Sequence, residues 1–289
     1  MLELHCHTTY SDGTLTPKEL VQAAAKAGVQ ALAITDHDTI GGWDEAIAAA
    51  QSLTDSTGIP MEIIPGVELS VTYHGRSVHM LGFYPDPDAL RPFLAKRLAG
   101  RRRRAEQMVE KLAALGYPIT CPELVVPELS EPELSTPQMN QNSAAPGRPH
   151  IAKALLAAGY IDRLQDAFDR WIGEGKPAYV PYDELTVEDG LALLRSTGAI
   201  TVWAHPWLYR GGNVEEMVYE MVEAGLMGLE VYHPGHTPSQ QDRLTALCRE
   251  LGLIKTGGSD YHGPEQDKHH PLNHFNLPLG LLRPLRSLA

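Results

Sequence analysis

An α/β barrel interrupted by a helical insert is the fold this sequence predicts, and three observations predict it. Short apolar runs alternate with helical stretches over 1–70 and again over 186–257, the rhythm of parallel strands joined by crossover helices. Six or seven such units suit a closed barrel better than an open sheet. Between them lies a charged, helical stretch with a proline-rich loop. Finally, side chains that bind hard and borderline metals recur just past the apolar runs, where a barrel gathers its loops. The expected organisation is barrel over 1–88, helical insertion domain over 89–184, and barrel again over 185–289.

The elements follow in order. Residues 2–6 form a short strand. Thr16-Pro17-Lys18-Glu19 opens a helix with a capping-box pattern and proline in its first turn, and Gly28 closes it. Residues 31–35 are a continuous apolar run of the kind buried in a parallel sheet. An alanine-rich helix is expected over 43–53 and a third strand over 62–69. Residues 71–73 and 77–84 flank His74-Gly75-Arg76 as a hairpin. A long charged helix spans 88–115, stopped by Gly116. Residues 122–147 are rich in proline, Glu, Ser and Asn and read as a loop with little to pack. Helices over 149–158 and 164–171 complete the insert. The alternation resumes with a helix over 187–196, a strand over 200–204 and a helix capped by Asn213. A strand over 228–232 and a helix opened by the capping box at Thr237 follow. The last strand, 253–256, runs into Gly257-Gly258-Ser259-Asp260.

At 289 residues and 43% hydrophobic content the chain can bury one substantial core. Its apolar runs are too short for a membrane span. The strand at the very start leaves no room for a basic, apolar leader. Cys6, Cys121 and Cys248 are far apart and odd in number, which argues against a disulfide framework and for the cytoplasm. Cys6 lies between two histidines, but on a strand its side chain points to the opposite face and reads as core. A net charge of -12 disfavours broad nucleic-acid binding. An acidic shell around a cationic centre is compatible with a small anionic substrate.

The ligating residues cluster at strand ends. His5 and His7 are two apart, so both project from one face. Asp12 follows in a Ser-Asp-Gly turn, where a plain turn-forming role is the competing explanation. Thr35-Asp36-His37-Asp38 ends the second strand. His37 is a ligand type, with Asp36 or Asp38 expected to hold its other ring nitrogen, and Asp38 could equally cap the next helix. Glu68, read at the end of a buried strand, needs a partner, and its two oxygens could bridge two ions. His79 sits within an alternating stretch and gains meaning only from the others. Ala204-His205-Pro206 and Gly258-Ser259-Asp260-Tyr261-His262 end two more strands, the second repeating the same-face spacing of His5 and His7. One ion needs roughly three or four protein ligands. This set therefore predicts two or three divalent ions, the equipment of phosphate-ester hydrolysis.

As an ordered set, His5-x-His7, Asp12, Thr35-Asp36-His37-Asp38, Gly66-Val67-Glu68, His79, His205-Pro206 and Gly258-Ser259-Asp260-x-His262 resemble the PHP (polymerase and histidinol phosphatase) superfamily. The resemblance implies a distorted (β/α)7 barrel with a trinuclear site at its strand ends. By it, one metal would use His5, His7, Glu68 and Asp260. A second would share Glu68 with His79 and His205, and a third would use Asp12, His37 and His262. The insert resembles the branch acting on nucleoside 3′,5′-bisphosphates and on short oligonucleotides, through Gly147-Arg148-Pro149-His150. Arg148 would set a guanidinium beside a helix N-terminus, and both favour phosphate. His150 joins it as a substrate-binding residue. His233, after the strand at 228–232, could face the substrate or protonate a leaving oxygen.

The expected activity is hydrolysis of the 3′-phosphate of nucleoside 3′,5′-bisphosphates by a metal-bridging hydroxide, with Glu68, Asp260, His233 and Arg148 as catalytic residues. Mn2+ is the first choice, with Zn2+ or Fe2+ also suited to the ligands. A 5′→3′ exonuclease on short oligonucleotides and a histidinol-phosphate phosphatase are the enzymatic alternatives. A metal-stabilised nucleic-acid or polymerase accessory domain is the non-enzymatic one. Lys96, Arg97, Arg101 and Arg104 share one helix face, read as solvated or, more sharply, as a track for an oligonucleotide backbone. No phosphate-binding glycine loop and no nucleophilic Ser or Cys arrangement is visible.

Overall fold

The computed structural model of the protein describes residues 1–121, 146–181 and 185–288. Most of the expected loop over 122–147 falls outside the described residues. The chain forms two compact units, Met1–Pro92 with Leu185–Ala289, and Phe93–Glu184. In chain order the elements are β1 (Leu2–Glu3), α1 (Pro17–Lys26), β2 (Ala31–Ile34), α2 (Trp43–Thr57), β3 (Glu62–Tyr73), β4 (Arg76–Phe83) and α3 (Pro87–Ala114). Then come α4 (Arg148–Ala157), α5 (Leu164–Ala167), α6 (Val187–Ser196), β5 (Ile200–Trp203), α7 (Val214–Glu223), β6 (Gly228–Tyr232), α8 (Pro238–Leu251), β7 (Ile254–Gly257) and α9 (Leu282–Leu288).

In the first unit the strands form one seven-stranded sheet in sequence order. All neighbours are parallel except those of β4, which runs against β3 and β5. The sheet nearly closes into a barrel: the Leu4 N–H donates to the Gly257 carbonyl at 3.3 Å and that of His7 to Tyr261 at 2.8 Å. The reversal at β4 comes from a two-residue turn. His74 and Gly75 both have positive φ, 48° and 75°, as a hairpin turn matching strand twist requires. Arg76, expected in the turn, instead pairs with Tyr73 and opens β4.

Two capping boxes start helices where the sequence places them. The Glu19 N–H donates to Thr16 Oγ1 at 3.2 Å and the Thr16 N–H to Glu19 Oε2 at 2.9 Å. Thr237 and Gln240 repeat the pair on α8. The barrel interior takes every second residue: Leu2 and Leu4, Ala31 and Ala33, Ile200 and Val202 pack with Ile64, Leu81 and Phe83. Leu282 and Leu285 of α9 pack against the same core. Each large apolar side chain so buried contributes on the order of 1.5–3 kcal/mol.

The second unit has its own core around Met108, Leu112, Ile151, Leu155, Trp171 and Ile172. The helix expected over 164–171 is shorter in α form, passing at Phe168–Ile172 into a wider π-type turn. Arg101 and Arg104 are not a solvated face: they are 4% and 6% exposed. The Arg104 Nε–H donates to the Val180 carbonyl at 2.7 Å and its guanidinium lies over the Tyr179 ring. Charge spacing along one helix cannot reveal this, because the covering residues come from another part of the unit. Among the described residues, no helix is long and apolar enough to cross a membrane.

Candidate metal centre

The parallel strands deliver their following residues to one rim of the barrel: His5 and His7 after β1, His37 after β2, His205 after β5, His233 after β6, Asp260 and His262 after β7. Glu68 is not at a strand end. β3 leaves β2 after the Ile34–Pro65 pair and runs on paired with β4 to Tyr73. Glu68 therefore stands level with the residues beyond β2, bridged to His37. His79 reaches the same level because β4 runs the other way, and its carbonyl accepts the Ala204 N–H at 3.1 Å.

The side chains converge on Glu68. Its Oε2 lies 3.2 Å from Nε2 of both His5 and His7 and 3.0 Å from Nδ1 of His37. Its Oε1 lies 2.9 Å from His79 Nδ1 and 3.1 Å from His205 Nε2. Asp260 Oδ1 faces His5 and His7 at 3.3 and 3.1 Å, while Oδ2 faces His233 Nε2 at 3.3 Å. Asp12 lies 3.4 Å from His262 Nε2 and 3.8 Å from His37 Nε2. Ligand-type atoms fall into three groups, each within 4.8 Å: His5, His7, Glu68 and Asp260; His7, Asp12, His37 and His262; His37, Glu68 and His79. All nine predicted ligand-type residues are thus brought together, with His205 joined through Glu68.

These distances fit ions. Metal–ligand bonds of about 2.1 Å put two ligands of one ion about 3.0–3.4 Å apart. Nε2 of His5 and His7, Nδ1 of His37 and His79, Oε2 of Glu68 and Oδ1 of Asp260 are buried without a well-formed hydrogen bond, a costly state unless something else satisfies them. The ring protons agree. His5 Nδ1 contacts Glu230 Oε1 at 2.9 Å and His262 Nδ1 the Asp260 carbonyl at 2.7 Å. Both acceptors lack a proton, so the hydrogens sit on Nδ1 and the lone pairs on Nε2. Ser11 Oγ donates to Asp36 Oδ1 at 2.6 Å and so accepts from His7 Nδ1 at 3.3 Å. In the neutral ring His7 Nε2 is likewise left as a lone pair.

Burial alone would raise the Glu68 carboxyl, but the imidazoles of His37, His5 and His79 hold it well below the usual carboxylate range. Asp260 and Asp12 are held low in the same way, by His5 and His262 and by His262 and His37. Burial pushes His37 down to about 3, keeping it neutral and able to ligate. Burial also works against protonating His7, yet Asp260 and Glu68 raise it to about 10. A cation at that point would take the place of the proton.

Neither Asp36 nor Asp38 holds His37, whose ring nitrogens face Glu68 and Asp12. Asp36 accepts from the Thr8 N–H, the Thr8 hydroxyl and Ser11, and Asp38 accepts the Ser70 N–H. Nor does Asp38 cap α2, which starts after Gly42 without a side-chain cap. Arg148 opens α4, its guanidinium 5.7 and 5.8 Å from the Phe168 and Tyr179 ring centres. His150 is buried, and its Nδ1 accepts the Gly147 N–H at 3.1 Å.

Two buried acids escaped the sequence reading. Glu3 accepts the N–H groups of Ser259 and Asn273 at 2.6 and 2.9 Å, tying the loop after β7 to β1. Glu230 accepts from His5 and from the His205 N–H. The missed signal was a single carboxylate inside Leu-Glu-Leu and Leu-Glu-Val, since a charge in an apolar strand must have a partner. His236 is buried too, with Nδ1 on the Val231 carbonyl and Nε2 accepting the Trp207 N–H.

A barrel with carboxylates and imidazoles crowded at one rim defines a metal-dependent phosphoesterase, and the comparisons with known proteins agree. The PHP domain model matches residues 3–99. A 5′-3′ exoribonuclease from Haemophilus influenzae is 32% identical over 272 residues, covering 91% of this chain and 90% of its own. A 3′,5′-nucleoside bisphosphate phosphatase from Chromobacterium violaceum is 33% identical over 267 residues, 91% of this chain and 87% of its own. A solved structure from Bifidobacterium adolescentis, classed as a metal-dependent phosphoesterase, superposes with TM-score 0.82 at 34% identity, covering 100% of this chain and 96% of that one. The chain belongs to the PHP domain family.

Proposed function

We propose that the protein hydrolyses the 3′-phosphate of nucleoside 3′,5′-bisphosphates, such as adenosine 3′,5′-bisphosphate, to the nucleoside 5′-monophosphate and phosphate. One observation carries this reading. Nε2 of His5 and of His7 meets Oε2 of Glu68 and Oδ1 of Asp260 at 3.1–3.3 Å. Its substrate is suggested by the 33% identity to the Chromobacterium violaceum phosphatase.

His5, His7, Glu68 and Asp260 would hold one divalent ion, Glu68, His79 and His205 a second, and Asp12, His37 and His262 a third. Mn2+ is the proposed metal, with Zn2+ and Fe2+ suited to the same donors. Bound ions supply an acidified water and offset the charge that develops on the phosphoryl oxygens. The chain's own groups do the rest. The Gly235 N–H occupies His233 Nδ1 at 3.0 Å, which leaves the ring hydrogen on Nε2, and we assign that N–H to a hydrogen bond that offsets the charge developing on the leaving 3′ oxygen, which takes its proton from water. Arg148, at the first turn of α4, is assigned to phosphate binding, where guanidinium and helix N-terminus act alike. His150 supports it, and with Nδ1 engaged any substrate contact falls to Nε2. The buried thiols of Cys6 and Cys248 suit a reducing, cytoplasmic setting.

A second reading, 5′→3′ cleavage of short RNA, is favoured by the 32% identity to the Haemophilus influenzae exoribonuclease. A panel of adenosine 3′,5′-bisphosphate, a short 5′-phosphorylated RNA and histidinol phosphate, assayed before and after chelation, separates them. The expected result is fastest turnover of the bisphosphate, lost on chelation and restored by Mn2+. Turnover of RNA with none of the mononucleotide would replace the first reading by the second.

A further inference from the structure

Glu230 is a wholly buried carboxylate in β6 that belongs to none of the three groups of ligand atoms. Its oxygens are divided between two partners from different strands. Oε1 accepts from His5 Nδ1 at 2.9 Å, beyond β1. Oε2 accepts the backbone N–H of His205 at 2.8 Å, beyond β5. Both partners turn Nε2 to the same side chain: His5 Nε2 lies 3.2 Å from Glu68 Oε2, and His205 Nε2 lies 3.1 Å from Glu68 Oε1.

A carboxylate accepts and does not donate, so Glu230 forces the His5 hydrogen onto Nδ1 and leaves the lone pair on Nε2. His205 has φ 36°, a left-handed backbone that a residue with a side chain seldom adopts. Such a conformation persists only where neighbours over-determine it, and the hydrogen bond to Glu230 supplies that constraint. Its strand neighbours are Leu229 and Val231, both 0% exposed, so no polar residue beside it on β6 could take over.

We propose that Glu230 is a positioning residue of the metal centre, setting the tautomer of His5 and the backbone of His205 so that their free nitrogens converge on Glu68. It rests on the reading of His5 and His205 as metal ligands. A carboxylate behind a ligating imidazole also raises its basicity, and removing such a partner typically weakens metal binding roughly ten- to a hundredfold.

The test uses Glu230→Gln, which keeps the volume but turns an amide NH2 toward one of the two N–H donors. Mn2+ affinity is measured by chelator competition, with thermal melting of the metal-free protein alongside. The variant should bind Mn2+ roughly ten- to a hundredfold more weakly, and its activity curve should shift to higher Mn2+. Wild-type affinity in a folded Glu230→Gln protein would overturn the proposal. A second measurement needs no Glu230 variant. In Zn2+-loaded wild type, imidazole 15N NMR, assigned through His5→Asn, should find the His5 hydrogen on Nδ1; a hydrogen on Nε2 overturns the proposal. His5→Asn separates the two ideas. If it keeps every ion at full affinity, the ligand reading itself fails. If it loses an ion while Glu230→Gln does not, only the role of Glu230 fails.

Discussion

Nε2 of His5 stands 3.2 Å from Oε2 of Glu68, with both side chains at most 1% exposed. The contact joins a residue just past β1 to the middle of β3, and five imidazoles in all approach the two oxygens of that carboxylate. Glu68→Gln removes the charge they share and turns an amide NH2 toward nitrogens that carry lone pairs. The loss should be several kcal/mol of transition-state stabilisation, about a thousandfold in kcat/KM, with a lower metal content by elemental analysis. A Gln variant with near wild-type turnover would remove Glu68 from the centre.

Metal ions should also stabilise the fold, since several ligand-type atoms around Glu68 are buried without a well-formed hydrogen bond and a cation would satisfy them. An ion that binds the native state alone adds about 2.7 kcal/mol at a hundredfold excess over Kd. Melting of chelated protein against Mn2+ should raise Tm progressively with concentration. A Tm indifferent to divalent ions would contradict the fit of these groups to a metal.

Asp36 holds the loop that carries His7. It accepts from the Thr8 N–H and hydroxyl, both at 2.7 Å, and from Ser11 at 2.6 Å. Asp36→Asn sets an NH2 against one of these buried donors, at about 1–3 kcal/mol. Urea unfolding should give a lower midpoint with unchanged slope, and the variant should bind metal less tightly as Ser11 and then His7 lose their anchor. A full-strength fold with native metal affinity would refute this.

Gly258, just past β7, packs closely against Glu3 of β1 and His5 beyond it. A Cβ there would lie 2.6 Å from the His5 backbone nitrogen, 2.7 Å from its Cβ and 2.8 Å from Glu3 Oε1. The first of these is main chain and cannot swing aside. Gly258→Ala should cost about 1–3 kcal/mol and move Asp260 off its partners. Denaturant midpoints and metal content would both fall; a silent substitution would mean that the barrel has slack at its seam.

Cys248, on α8 and outside the ligand set, offers a pH-dependent check. Burial pushes its thiol from an ordinary value of 9.0 up to about 12. The folded state therefore favours the neutral thiol, and the stability it contributes is intact below pH 9 and lost as pH climbs toward 12. At pH 8.5 the residue should resist alkylation in native protein and react promptly in urea, as peptide mass mapping would report. Rapid native labelling would mean that the helix carrying it opens readily.

Several of these relationships were legible in the chain itself. An apolar run followed at once by a polar, ligating cluster marks a strand end at a functional rim, and this located His37, His205, Asp260 and His262. Same-face spacing paired His5 with His7, and capping boxes placed the starts of α1 and α8. Such signals are local, because they depend only on the period of a strand or the first turn of a helix.

What lay beyond local spacing went astray or unseen. Adjacency in sequence offers Asp36 or Asp38 to His37, yet Asp36 serves Thr8 and Ser11, which reach it only when β1 and β2 pair, and Asp38 accepts the Ser70 N–H. Arg101 and Arg104 have the spacing of a solvated face and are buried by residues far along the chain. Glu230 and Glu3 resemble ordinary strand residues until the barrel closes around them. Amino-acid order determined which groups could ligate and on which face of its own element each would point. Which hydrogen-bond partner each acid would find was decided by sheet closure alone, because a buried charge is satisfied by whatever donor the fold brings within about 3 Å, however distant in sequence.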